Sequence, residues 1–134
     1  MRSRLAFGLI AIGMMAFAVS TWAHHAHGNY AVTTVDMEGA VTEVHLLNPH
    51  SWMYVEVAKP DGQKQLWALE GGGRGQLLRI GVSAENTKLG DKVKVRCHPL
   101  SDGTPGCLLG FVKHADGAVR DWDGGAEATV PKDF

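Results

Sequence analysis

Only two cysteines occur in the 134 residues, Cys97 and Cys107. That is too few for a zinc cluster built from thiolates alone and enough for one disulfide. Neither sign of charge dominates: 13 Lys and Arg stand against 14 Asp and Glu, a formal net charge of -1. No basic surface therefore points to nucleic acid, and no acidic tail points to a solvating segment. The longest uncharged apolar stretch, Leu5 to Val19, has 15 residues, short of the roughly 20 that a membrane-spanning helix needs. No internal repeat is present, and the length holds one domain, which excludes a multidomain enzyme, a polytopic membrane protein and a coiled coil. The Gly71-to-Gly75 run lacks the Gly-Lys-Ser/Thr ending of a phosphate loop and reads as a flexible connection. What the sequence does have is 17 Gly, which call for many turns, and seven His, the anomaly that bears on chemistry.

The amino-terminal stretch is expected to be an export signal. Arg2 and Arg4 form a positive beginning, the apolar run follows, and Thr21-Trp22-Ala23 places small residues at both specificity positions of a cleavage site. The competing reading is a membrane anchor, which the run's length and the lack of a charged stop-transfer flank disfavour. Cleavage after Ala23 leaves 11 basic and 14 acidic residues, a charge of -3, and keeps all seven His. It predicts a periplasmic or secreted protein with no stable membrane anchor.

Residues 24 to 35 are polar and irregular and read as an amino-terminal arm; the domain proper runs from 36 to 122, and 123 to 134 reads as a loose tail. Within the domain, apolar residues alternate with polar ones, the mark of half-buried strands. In the first strand Ala40, Thr42, Val44 and Leu46 are expected on one face, with Val41, Glu43 and His45 on the other. Asn48-Pro49 ends that run, and Trp52 to Ala58 follows with Met53, Val55 and Val57 inward. After the turn at Lys59-Pro60-Asp61-Gly62, Lys64 to Glu70 makes a third strand, and Gln76 to Ile80 a short helix closed by Gly81. Asp91 to His98 and Cys107 to Lys113 complete five strands, with a short sixth over Val119 to Trp122. Three strands, a short helix and two more strands is the plan of a small OB-like Greek-key barrel, a mainly β fold whose closure removes exposed strand edges. Another small barrel, or an open meander under a covering helix, is the alternative.

Cys97 and Cys107 flank the turn between the fourth and fifth strands and are expected to pair as a structural disulfide in an oxidising compartment. A redox pair or thiolate ligands is the other reading, but neither sulfur has the Cys-x-x-Cys spacing that would activate it. The histidines cluster. With His24 first, the free α-amine and the His24 ring can chelate one metal, or the amine, the His25 amide and the His25 ring can offer three nitrogens. Both modes suit Cu(II), with Zn(II) as competitor. His50, in the loop after the first strand, and His98, at the end of the fourth, are the partners expected from one rim of the barrel, where OB folds bind ligands. The plain alternative is a polar start with weak metal affinity and two ordinary surface histidines.

These residues fall into motifs: His24-His25, Glu38-Gly39-x-Val41, Asn48-Pro49-His50-Ser51-Trp52, Leu89-Gly90-Asp91-Lys92-Val93 and His98-Pro99-Leu100-x-Asp102-Gly103. Together they resemble the exported bacterial domain-of-unknown-function family 6152 over most of residues 24 to 119. The resemblance implies a small exported β-domain with no established activity. It puts His24, His25, His50 and His98 on motif positions and leaves His27, His45 and His114 outside them. The chain departs from the family at Ala26, where Ser is frequent, and in carrying the two cysteines. The leading expectation is a metal-binding module, copper first, acting by binding and not by catalysis. The second is a metal-free module that holds a periplasmic protein, peptide or glycan on Trp52, Tyr54 and Trp67. A copper oxidase or oxygenase is a third, disfavoured by the small size of the domain; nucleic acid is not an expected partner.

Overall fold

Each alternating stretch becomes a strand. β1 spans Val35–His45, β2 Ser51–Ala58, β3 Lys64–Gly71, β4 Lys92–Pro99, β5 Gly106–Lys113 and β6 Val119–Asp121, and helix α1 spans Arg74–Arg79. This computed structural model describes residues 28–124 and 129–134. The expected signal segment and His24, His25 and His27 lie outside the described residues.

The hydrogen-bonded order is β3-β2-β1-β4-β5-β6, and a parallel pairing of β3 with β5 closes the ring. That pairing is short, Ala68 to Gly106, Leu69 to Cys107 and Glu70 to Leu108. Five strands closed in this order, with a helix between the third and fourth, are an OB barrel. β6 adds to the outside of β5 through Phe111, Val112 and Lys113. The interior holds Val41, Met53, Val55, Leu69, Val93, Val95, Leu109 and Val112 from the strands, Leu77 from α1, and Val82 and Trp122 from the connections. Burying each aliphatic side chain contributes about 1.5–3 kcal/mol. The expected disulfide is present: Cys97 and Cys107 are joined with their Cα atoms 5.7 Å apart, both fully buried.

Simple alternation fails in β1. Val41 pairs with Val55 and Glu43 with Tyr54, so Thr42 is an extra residue in a β-bulge. The bulge moves the inward parity by one. Val41 is buried and Val44 and Leu46 still pack on the core, whereas the expected grouping set Val41 on the opposite face from them. Strict period two cannot signal an inserted residue, because each half of the strand alternates correctly alone.

His114, at the start of the turn between β5 and β6, is a core residue with 3% exposure. Its Nε2 accepts from Trp122 Nε1 at 3.0 Å, and its Nδ1 lies 3.3 Å from the Asn86 carbonyl oxygen and 3.3 Å from Thr87 Oγ1. An indole N–H only donates, so Nε2 must be bare and the proton must sit on Nδ1. Burial first, and the Arg120 charge second, hold the ring's pKa below its ordinary 6.5. The unfolded chain therefore binds this proton more readily than the folded one. The His114 contribution to stability is complete above pH 6.5 and declines as the pH falls below it. Denaturant melts should show stability falling on acidification through this window, with His114→Gln flattening the dependence; an equal slope in the variant would contradict the assignment.

The carboxyl-terminal residues return to the sheet. Arg96 donates to both oxygens of Asp36, at 2.7 and 2.9 Å, and to both of Asp133, at 3.0 and 3.2 Å. Its guanidinium holds both carboxyls below the usual range. Phe134 lies under Lys94 and Arg96, 5.0 and 5.4 Å from its ring centre. A segment read from sequence as a loose tail thus has its last two residues on β4.

Candidate functional site

The loop from β1 to β2 lies against the chain that leaves β3, and the loop from β4 to β5 reaches β3 at Ala68, whose N donates to the Pro105 carbonyl at 3.1 Å. The first carries His50. It turns through a cis Asn48-Pro49 bond, and its ends are tied by main-chain bonds from Ser51 N to the Gly72 carbonyl at 3.1 Å and from Arg74 N to the Leu47 carbonyl at 2.8 Å. Ser51 is fully buried, and its hydroxyl is committed to Leu47, 3.2 Å from the amide nitrogen and 3.3 Å from the carbonyl oxygen. It is a loop fastener and not a nucleophile.

Two glycines of the run that sequence reading took for a flexible connection, Gly71 and Gly73, are required by contact. A Cβ on Gly73 would lie 2.7 Å from the Pro49 carbonyl oxygen and 2.9 Å from Asn48 Oδ1, and one on Gly71 would lie 2.9 Å from the Trp122 ring. The run is small so that the His50 loop can settle on it from one side and Trp122 from the other. Composition cannot separate these two uses of glycine.

His50 Nδ1 is in direct contact with Glu70 Oε1. The other carboxylate oxygen of Glu70 accepts from the Tyr30 hydroxyl at 2.5 Å. Burial, and then the Glu70 charge, hold the Tyr30 phenol protonated far above its ordinary range. A carboxylate oxygen cannot sit against a bare ring nitrogen, so His50 carries a proton on Nδ1, and in the neutral ring the lone pair is on Nε2. His98 repeats the pattern: its Nδ1 lies 2.9 Å from the Ala31 carbonyl oxygen, which can only accept, so in the neutral ring its lone pair is also on Nε2. Glu70 pairs with Leu108 and Leu108 with His98, so the two side chains share the outer face two strands apart, about 10 Å between Cα atoms. A pocket of about 150 Å³ beside His50 is lined by Glu70, Gly71, Gly72, Gln76 and Asp123. Larger grooves of about 510 and 650 Å³ lie elsewhere and include neither imidazole.

Of the expected ligands, His50 and His98 thus come to one region of the rim, and His24 and His25 are outside the described residues. No group of three or more His, Cys, Asp or Glu able to hold a metal ion is present among the described residues. His45 is elsewhere, 2.6 Å from Glu43 on the exposed part of β1. Of the aromatic trio, Trp52 and Tyr54 alternate with the buried Ser51, Met53 and Val55 and so share the outer face of β2. Trp67 does not join them. It pairs with the inward Val55 and packs against the core. Trp67 is half-buried, as Trp52 and Tyr54 are, but on the opposite face of the sheet.

Sequence reading missed Tyr30 and gave Glu70 no partner. Glu70 carries a weak signal, an outward acid directly before the glycine run. Tyr30 carries none, because its partner is 40 positions away.

No curated protein matches the sequence. Among solved structures, the chain is similar to the crystal structure of the mitochondrial single-stranded DNA binding protein Rim1 of S. cerevisiae, with 15% identity, a TM-score of 0.43, and coverage of 61% of this chain and 93% of that one. The sequence pattern of a family of unknown function, DUF6152, matches residues 11–109, a span that holds Tyr30, His50, Glu70, His98 and both cysteines. The chain is a member of that family, DUF6152.

Proposed function

We propose that this barrel is an exported metal-binding module, for copper first and zinc as competitor, with His50 and His98 as its barrel ligands. The observation that carries the reading is the shared state of these two imidazoles. Each has its Nδ1 proton committed to an oxygen acceptor, which in the neutral ring leaves Nε2 as the ligating atom, the arrangement that metal-ligating histidines show almost without exception. Two imidazoles do not fill a coordination sphere. His24 and His25 supply the remainder, through the α-amine exposed by cleavage after Ala23 and through their rings. The arm is fixed at Asn29, whose carbonyl accepts from Ser101 N at 2.8 Å. Five residues span at most about 17 Å, a length that lets the start of the processed chain reach the rim. Nitrogen donors of this kind favour Cu(II) over the other common divalent ions.

The test is elemental analysis with intact mass, on tag-free protein isolated from the periplasm. The expected result is a chain beginning at His24 with about one copper. A chain beginning at His24 that holds no metal and takes up neither Cu(II) nor Zn(II) rejects the reading. The second reading then leads: a metal-free module whose partner rests on the outer face of β2, where Trp52 and Tyr54 lie side by side. It expects Trp52→Ala to abolish partner capture and His50→Ala to leave it intact.

A further inference from the structure

The two histidines are on different elements, His50 in the loop before β2 and His98 on β4, yet both are oriented by one dipeptide. Tyr30 and Ala31 belong to the arm, outside the strands of the barrel. The arm runs antiparallel along the end of β4: Tyr30 bridges to Leu100, Ala31 N donates to the Pro99 carbonyl at 2.8 Å, and Ser101 N donates to the Asn29 carbonyl at 2.8 Å. Between this clip and β1 the chain bends away, and Val32 is 94% exposed. From its fixed position the clip does two things. The Ala31 carbonyl accepts the His98 Nδ1 proton directly. The Tyr30 hydroxyl donates to one oxygen of Glu70, which leaves the other oxygen to take the His50 Nδ1 proton. Glu70 is thereby satisfied on both oxygens with a side chain only 12% exposed.

We infer that Tyr30 and Ala31 form a positioning clip that sets both imidazoles in the metal-ready tautomer and so couples docking of the arm to metal binding at His50 and His98. The inference rests on the metal reading above and deepens it. It makes Tyr30 and Glu70 positioning residues, since neither supplies a ligand atom. Docking the arm fixes both Nε2 lone pairs outward, and a metal held by those atoms holds the arm down in return, because coupling between two binding events is reciprocal.

The experiment uses the processed full chain with Zn(II) as a diamagnetic probe. Ring nitrogen NMR of the metal-free protein should place the proton of His50 and of His98 on Nδ1. Glu70→Gln keeps an oxygen for Tyr30 and turns its amide N–H₂ towards His50, which should move the His50 proton to Nε2 and leave His98 unchanged. Saturation with Zn(II) should slow hydrogen exchange at the Ala31 and Ser101 amides of the wild-type protein. Tyr30→Phe should weaken Zn(II) binding on the order of 10- to 100-fold, the usual effect of losing such a supporting hydrogen bond, and should abolish the added protection while the thermal transition stays cooperative. Tyr30→Phe that binds Zn(II) as tightly as wild type, or wild-type protein whose Ala31 and Ser101 amides ignore the metal, overturns the clip and leaves the metal reading standing. Wild-type protein that takes up no metal overturns the metal reading, and the coupling with it.

Discussion

Replacing Cys97 and Cys107 together by alanine is expected to destabilise the domain by about 2–5 kcal/mol, the usual cost of losing a native disulfide from a small domain. The bond closes a loop whose ends are 10 positions apart, for which loss of unfolded-chain entropy alone predicts about 3 kcal/mol. For a domain of this size that corresponds to a fall in Tm of roughly 10–25 °C. The location should make the effect local as well as global. Cys107 takes part in the short β3–β5 pairing that closes the barrel, and His98 stands next to Cys97 on the adjoining strand. Thermal melts of the double variant, with and without Zn(II), check both parts. A loss below about 1 kcal/mol would mean that the three-residue pairing closes the barrel without covalent help.

Trp122→Ala should cost about 3–5 kcal/mol, as truncating a fully buried Trp does. Trp122 is the largest fully buried side chain of the described residues, and it comes from a short strand end that sequence alone marks only weakly. Its indole packs where a Cβ of Gly71 would be, its carbonyl accepts from Gly72 N at 2.6 Å, and its Nε1 satisfies His114. Truncation opens a cavity under the glycine run that supports the His50 loop. Metal binding should therefore weaken along with stability. Trp122→Phe separates the effects: the ring volume largely remains, but a buried acceptor on His114 is left without its donor, a cost of about 1–3 kcal/mol. The acid sensitivity assigned to His114 should diminish in that variant, since its protonated ring no longer faces an indole N–H. A Phe variant with unchanged stability and unchanged pH response would contradict this account.

These three residues also mark how far the fold is legible from sequence. Cys97 and Cys107 stand at opposite ends of a turn between two clear alternations, so their pairing follows from local order. Trp122 stands outside any strong pattern, and only the way β6 folds back on β5 brings it into the core. The same division holds at the site. His50 and His98 are visible as members of an unusual excess of histidine, beside turn signals. Glu70 and Tyr30 stand at unremarkable positions, and what gives them a role is a contact between distant parts of the chain. Trp67 went the other way, since a large aromatic on a strand suits a contact face and an interior equally, and its pairing with Val55 decides for the interior.

Local rules therefore determined the number and order of the strands, the helix between the third and fourth, the barrel plan and the disulfide. Each depends on neighbours in sequence: side-chain period, turn residues, the spacing of two sulfurs. Tertiary structure alone decided the bulge at Thr42, the close-packed use of the glycine run, the burial of His114 against Trp122, and the tautomers of His50 and His98. Those depend on which atom meets which across the closed barrel, and hydrogen-bond partners 40 or 67 residues apart leave no trace in the local pattern.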